Sequence, residues 1–414
     1  MSAAIPVRPL AVCRLCGGRD LTPVLSLPPT PPANAFIGPD KLDDPQPLFP
    51  LELCLCRGCG HVQLGHLVDR SALFADYVYV SGTSPAFVEH FRNYAISCIE
   101  IAGLRAGDLV ADIGSNDGTF LRFFKAAGMR VLGIDPARAI AEAATGDGIE
   151  TRCAFFDAAL GRDLAAAYGP ARLIAANNVF AHLDDIADFI DGVRHWLAED
   201  GLFVFEVSYL RDVLEQGLFD TIYHEHVDYH ALAPLARFFA AHGMAVVGAE
   251  RVPTHGGSLR VIVGHAGQEA SPAVERLLRE ERDAGLATPQ RFEAFGSAIE
   301  AAGLALRRLL GRIAGDGGRV AGFGAPAKAT TLMYRFGLTG ADIPFIVDDS
   351  PLKQGLYTPG THIPVVSAEA LLRERPDYLL ILAWNFAAPI MRNHARFHAA
   401  GGRFIVPLPQ LEVI

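Results

Sequence analysis

Val110–Gly118 reads VADIGSNDG, a short apolar run that breaks into a glycine-bearing turn where a strand should hand over to a helix. Glycine lets the backbone turn tightly and approach a ligand closely. The next apolar run, Arg130–Ile134 (RVLGI), ends at Asp135, placed to accept hydrogen bonds from ribose hydroxyls. The same geometry could hold NAD. Here, however, the spacing is Asp-x-Gly-x-x-x-Gly, without the GxGxxG pattern that seats a pyrophosphate on a helix N-terminus. Asp112 and Asp117 put carboxylates where a diphosphate would be repelled and a methionine ammonium or sulfonium attracted. The loop points to S-adenosylmethionine over a dinucleotide, with Asp112, Gly114, Ser115, Asn116, Gly118 and Asp135 as candidate contacts.

Working outward, Asp108–Ile113, Arg130–Ile134, Leu173–Asn177 and Gly201–Val207 are apolar runs separated by helix-length stretches. That rhythm predicts a largely parallel, doubly wound α/β sheet. Ala245–Val252 and Ser258–Val263 read as a closing hairpin, and residues 271–314 as a helical connector. The last hundred residues repeat the strand–helix rhythm at Val320–Phe323, Phe345–Val347, Tyr378–Leu382 and Phe404–Pro407, a second, smaller Rossmann-like unit. Three blocks follow: a small module over 1–70, a methyltransferase domain over 71–268, and a connector plus Rossmann-like domain over 269–414.

The first block has little helical periodicity and a Pro-rich stretch, Leu27–Ala33 (LPPTPPA), read as loop. A module with so little core needs a staple. Cys13-Arg-Leu-Cys16 and Cys56-Arg-Gly-Cys59 are two CxxC knuckles that can complete a closed tetrahedral zinc site, structural rather than catalytic; the competing reading is a redox pair. Cys54 is spare.

The 414 residues carry a net charge of -10, which argues against nucleic acid as a partner, since phosphate contacts need clustered Lys and Arg. No apolar run reaches the roughly 20 residues that cross a bilayer, and Met1–Leu10 lack the apolar core of a signal peptide. A cytoplasmic monomer without membrane partners is expected.

Tyr223-His224-Glu225-His226, followed by Val227-Asp228-Tyr229-His230, crowds three histidines, two carboxylates and two tyrosines into eight positions. It follows the fifth strand, near the carboxyl ends where such sheets bind ligands. The segment could be a satisfied structural cluster, a metal site using His224, His226 and His230, or a general base. The favoured reading is the base: a histidine polarised by Glu225 that removes a proton acidified by an adjacent carbonyl. Asn177, Asn178 and His182 end the fourth strand, where polar groups can face cofactor and substrate. Tyr77 and Tyr79 could donate to a developing enolate oxygen. His255, Ser258 and Arg260 form a polar turn suited to an anion or sugar. Gly322–Lys328 (GFGAPAK) opens the C-terminal unit, with Lys328, Lys353 and Gln354 suited to a pyrophosphate; it is not a Walker A loop.

Taken in order, the two knuckles, DIGSNDG, ANNVFAH, YHEH, HGGSLR, GFGAPAK, SPLKQG, PGTHIPV and AWNF span nearly the whole chain. The series resembles the sugar C-methyltransferases that act on dTDP-linked 4-keto deoxysugars. The resemblance implies a class I methyltransferase core, zinc on Cys13, Cys16, Cys56 and Cys59, and the methyl donor on the Gly114 loop and Asp135. It also implies His226 as base beside Tyr223, Glu225 and His182, attack at C3 alpha to the C4 ketone, and a C-terminal unit that helps bind the nucleotide sugar. Ser208 stands where the family has Pro, and Ala329 where Gly is usual. The rival readings are an O-methyltransferase of a sugar or natural product, and a non-catalytic zinc-ribbon binding protein.

Overall fold

A computed structural model describes residues 7–69, 73 and 85–414, apart from the side chains of Pro85, Ala86 and His255. Tyr77 and Tyr79 lie outside the described residues. The N-terminal strands are β1 (Val7–Pro9), β2 (Leu21–Thr30), β3 (Phe49–Cys56), β4 (Val62–Leu64) and β5 (His66–Val68). The stretch read as a Pro-rich loop is in part strand: Pro28 and Pro29 close β2, an outer strand of its sheet, where the register with β3 shifts between Leu27 and Thr30. Proline is tolerated there because an edge or bulge position requires no ladder N–H.

The central sheet is built from β6 (Leu109–Ile113), β7 (Arg130–Ile134), β8 (Thr151–Arg152), β9 (Ala171–Asn177), β10 (Leu197–Ser208), β12 (Met244–Val252) and β13 (Ser258–His265). Its order is β12-β13-β10-β9-β6-β7-β8. The five strands β6 to β10 pair in parallel, and β13 runs antiparallel between β10 and β12. Both faces are covered, so β6 is buried along its whole length. Val110 packs with the helices Pro85–Ile101 and Thr119–Ala126 on one face. Ala111 and Ile113 pack with Ile186–Trp196 and Leu232–Ala241 on the other. The chain steps outward from β6 through β7 to β8, then returns to β9 on the opposite side. That reversal places a ligand crevice outside the carboxyl ends of β6 and β9.

Two helices, Pro272–Asp283 and Pro289–Gly315, lead to the last sheet. Its strands are β14 (Val320–Phe323), β15 (Ile346–Val347), β16 (Val365–Val366), β17 (Tyr378–Ile381), β18 (Arg403–Val406) and β19 (Glu412–Val413), ordered β16-β15-β14-β17-β18-β19. All are parallel except β19. The same kind of reversal falls between β14 and β17.

The segment from Leu210 to Ala231 ties these parts together. Leu210, Phe219 and Ile222 share one core with Leu53 and Leu64 of the N-terminal sheet and Leu332 and Phe336 of the C-terminal unit. β11 (Asp228–Tyr229) leaves the central block to pair antiparallel with β4, so the last residues of the histidine-rich stretch form a strand of the cysteine-bearing module's sheet. Among the described residues, no helix is long and apolar enough to cross a membrane.

Candidate active site

At the carboxyl end of β6 the backbone enters the left-handed region at Gly114 (φ 74°), Asn116 (φ 50°) and Gly118 (φ 75°). Gly114 is required for two reasons: its positive φ, and a Cβ there would lie 2.3 Å from Val179 Cγ2 in the turn after β9. The two loops that flank the crevice therefore touch. Asp135 holds the loop, accepting from Asn116 N–H and Ala137 N–H at 2.9 Å each. Asn178 (φ 57°) turns the chain after β9, its N–H bonded to Glu206 O at 2.8 Å.

Around this crevice several buried polar atoms have no hydrogen-bond partner among the described residues: Asp112 Oδ1, Ser115 Oγ and both amide atoms of Asn177. Buried polar groups are nearly always paired, so such a cluster fits a ligand that supplies the missing partners. Burial, with Asp135 nearby, pushes the Asp112 carboxyl up to about 8, and a bound cation would reverse that shift. A sulfonium nucleoside with an amino-acid tail offers both the charge and the donors.

His182 reaches the crevice from the 3-10 turn Phe180–His182 that follows β9. Its Nδ1–H donates to Glu225 O at 2.5 Å, and its ring centroid lies 4.9 Å from that of His226. The His226 Nδ1–H donates to Thr221 O at 2.9 Å. A peptide oxygen only accepts, so in the neutral ring the proton sits on Nδ1 and Nε2 keeps its lone pair. That lone pair accepts from Tyr223 Oη at 3.0 Å. Tyr223, His226 and His182 are all half-buried, between core and solvent, where a base must be to meet a substrate.

The structure revises how His226 is held. Glu225 was expected to polarise it, but the Glu225 carboxylate turns to Asn34, accepting from Nδ2 at 2.9 and 3.1 Å. Burial raises Glu225 to about 7. The carbonyl of Thr221 does the orienting instead. Nor do His224, His226 and His230 gather as metal ligands. His224 is bonded to Phe49 O at 3.3 Å, and burial lowers it to about 4. His230 is buried with its ring stacked on His61, 5.6 Å between centroids, and burial lowers it to about 3. Both rings stay neutral and structural.

Among the described residues, the one metal-compatible cluster is Cys13, Cys16, Cys56 and Cys59, whose sulfurs lie within 4.8 Å of one another. The pairs Cys13–Cys59 and Cys16–Cys56 are 3.6 Å apart, near the edge of about 3.8 Å that follows from four Zn–S bonds of about 2.3 Å. The contact with Cys59 and burial push the Cys13 thiol up, a penalty a central cation removes. Cys54 stands apart, its Sγ 3.8 Å from Glu52 Oε1. The knuckles also reach the histidine-rich segment. Arg14 Nε donates to both oxygens of Asp228 at 3.0 Å, and His61 Nε2 lies 2.9 Å from Asp228 Oδ1.

The residues read as substrate contacts are held internally. Arg260 is 7% exposed within the sheet, donating from Nε and Nη2 to Glu206 Oε1 at 2.8 and 2.6 Å, with Tyr94 3.7 Å beneath it. This buried ion pair accounts for the arginine, so the expected anion contact is replaced by a structural one. Ser258 Oγ donates to Thr254 O at 3.1 Å. Lys328 Nζ is 3.6 Å from Asp220 Oδ2. Lys353 Nζ donates to Ala325 O at 2.7 Å, and Gln354 Nε2 to Asp348 O at 2.9 Å. The His255 backbone lies in the turn Thr254–Gly256. Sequence reasoning missed Asn34, Thr221 and Asp220, which matter through contacts between distant parts of the chain and carry no local signal.

Three family profiles divide the chain: a zinc binding domain over residues 13–74, a methyltransferase domain over 89–249, and a C-methyltransferase C-terminal domain over 253–409. Solved structures similar in part include magnesium protoporphyrin IX methyltransferase (ChlM) from Synechocystis PCC 6803 with bound SAM, at 14% identity and TM-score 0.33 over 44% of this chain and 82% of that one. Another is an S-adenosylmethionine-dependent methyltransferase from Clostridium acetobutylicum, at 14% identity and TM-score 0.35 over 48% of this chain and 96% of that one. The C-methyltransferase NovU of Streptomyces niveus is 41% identical over 410 residues, covering 99% of this chain and 98% of its own. With that similarity covering nearly the whole of both chains, and with the three profiles together spanning most of this one, the chain belongs to the S-adenosylmethionine-dependent C-methyltransferases.

Proposed function

We propose that the chain methylates C3 of a nucleotide-linked, dTDP-type 4-keto-6-deoxy sugar. The observation that carries this reading is the His226 imidazole, its Nδ1–H fixed on Thr221 O and its Nε2 left as the acceptor. Such a ring is set up to take a proton, and C-methylation needs a carbon acidified by a neighbouring carbonyl. In the proposed reaction His226 Nε2 removes the C3 proton and the C–H electrons move into the ketone, forming an enolate. Substrate entry turns the Tyr223 hydroxyl from Nε2 toward the ketone oxygen, where it stabilises the growing negative charge. The bound S-adenosylmethionine supplies an electrophilic methyl carbon. His182, fixed through Glu225 O, lines the same space. Tyr77 and Tyr79 are proposed as further donors to the enolate oxygen, and Cys13, Cys16, Cys56 and Cys59 as holding a zinc that braces the module.

The nucleotide end is assigned to the crevice at the carboxyl ends of β14 and β17, with Lys353 and Gln354 beside it. Lys353 donates to the neutral Ala325 carbonyl, a bond that a phosphate would displace; burial lowers its pKa and the nearby Asp348 carboxylate opposes that shift. A cytoplasmic location fits such a substrate. The test is product NMR with labelled methyl donor and a panel of 4-keto nucleotide sugars. A C-methyl signal on C3 supports the reading, and an O-methyl signal replaces it with O-methyl transfer.

A further inference from the structure

We infer that Lys328 of the C-terminal unit is a positioning residue for His226, acting through Asp220, rather than a phosphate ligand. The inference rests on the reading of His226 as the base. The 3-10 turn Phe219–Thr221 ends on the residue whose carbonyl orients His226. Both neighbours of Thr221 are pinned by the C-terminal unit. On one side, Asp220 is fully buried, accepts from Trp384 Nε1 at 2.6 Å, and has Lys328 Nζ 3.6 Å from the same oxygen. The Lys328 ammonium also sits 4.4 Å over the Trp384 ring, so the cation, the indole and the carboxylate close on one another. On the other side, Thr331 Oγ1, one helical turn after Lys328, donates to Ile222 O at 2.8 Å.

A carbonyl held between two anchored residues has little freedom to turn, and that is the carbonyl His226 depends on. A buried ammonium already matched by a carboxylate is poorly placed to serve a diphosphate. Moving it would strand the Asp220 charge, which costs more than an exposed contact returns. Trp384 lies in the turn Trp384–Phe386 directly after β17, at the crevice proposed for the nucleotide. Occupancy there and the setting of the base therefore share one side chain.

The test uses the full chain with zinc and S-adenosylmethionine, in three variants. Lys328→Met removes the cation, Asp220→Asn removes its partner, and Thr331→Val removes only the second anchor at a site 1% exposed, which no phosphate can reach. Each is measured for kcat and KM, for affinity toward thymidine diphosphate by calorimetry, and for the 15N signals of the His226 imidazole, assigned with His226→Asn. Misplacing a reacting group by about 1 Å costs on the order of 100-fold. All three variants should lose about 10- to 100-fold in kcat while thymidine diphosphate affinity stays within about threefold, and the Nδ1–H tautomer signature should weaken. The inference is overturned if Lys328→Met weakens thymidine diphosphate binding and leaves the His226 signals unchanged. It is equally overturned if Asp220→Asn, by releasing the ammonium, tightens that binding with kcat intact. The imidazole spectrum needs no turnover, so it decides the matter even if no keto sugar proves to be a substrate.

Discussion

Lowering the pH from 7 to 6 should weaken S-adenosylmethionine binding about ninefold through one carboxyl group. Without ligand, burial and Asp135 hold Asp112 at about 8, so at pH 7 most molecules carry it protonated. A bound cation favours the ionised form, and binding must then expel the proton. With the unliganded value at about 8, the penalty factor grows from about 11 at pH 7 to about 101 at pH 6, a loss of roughly 1.3 kcal/mol. The methionine ammonium stays protonated throughout this window, so the slope belongs to the protein. The folded value is raised above the ordinary 3.8. Stability from this group is therefore fully present below about 4 and is lost as pH climbs toward 8, and the ligand restores it most at the upper end. Calorimetry in buffers of different ionisation enthalpy should find close to one proton released per ligand at pH 7. In Asp112→Asn both the release and the slope should vanish. Affinity that is flat between pH 6 and 7, or a slope that survives in Asp112→Asn, would refute the assignment of Asp112 to the cationic end of the cofactor.

Further outcomes follow from the same geometry. Arg14→Met leaves the Asp228 carboxylate, 3% exposed, without its guanidinium and with the His61 ring as a hydrogen-bond partner, and should cost about 3 kcal/mol in chemical denaturation of the zinc-loaded protein; adding Asp228→Asn should recover part of that. Gly114→Ala forces a left-handed alanine against Val179. A cost of about 2–4 kcal/mol is expected in the closed loop, read as loss of cofactor affinity with the denaturation midpoint much less affected. Chelating the zinc should raise hydrogen exchange at Val62–Leu64 and, through their pairing, at Asp228–Tyr229, while β6 and β7 remain protected.

How much of this was readable beforehand depended on the range of the interaction. The Gly114 turn, the β6–β7 step to Asp135 and the paired CxxC knuckles are set by contacts a few residues long, and spacing alone revealed them. His182, Tyr223 and His226 stand out as candidates in the sequence because each sits in a dense polar cluster near a strand end. What holds them was not readable. Thr221 acts through its backbone carbonyl, which any residue could supply. Asn34 meets Glu225 across nearly 200 residues, and Lys328 meets Asp220 across more than 100. Arg260 looked like an anion site because a cation beside two glycines suggests a binding turn. Only the pairing of β13 with β10, which sets Arg260 opposite Glu206, shows its charge already matched. The prolines of β2 misled in the same way, since an edge strand is defined by neighbours the sequence does not display.

The central claim, a base at position 226, is tested most directly by proton exchange in the absence of methyl transfer. The protein, loaded with S-adenosylhomocysteine, is given a dTDP-4-keto-6-deoxy sugar in deuterium oxide, and deuterium at C3 is followed by NMR for the native chain and His226→Asn. Steady deuterium uptake at C3 is expected for the native protein, and a rate about 10²–10⁴-fold lower in the variant, with S-adenosylhomocysteine affinity unchanged. Uptake at the native rate by His226→Asn would contradict it.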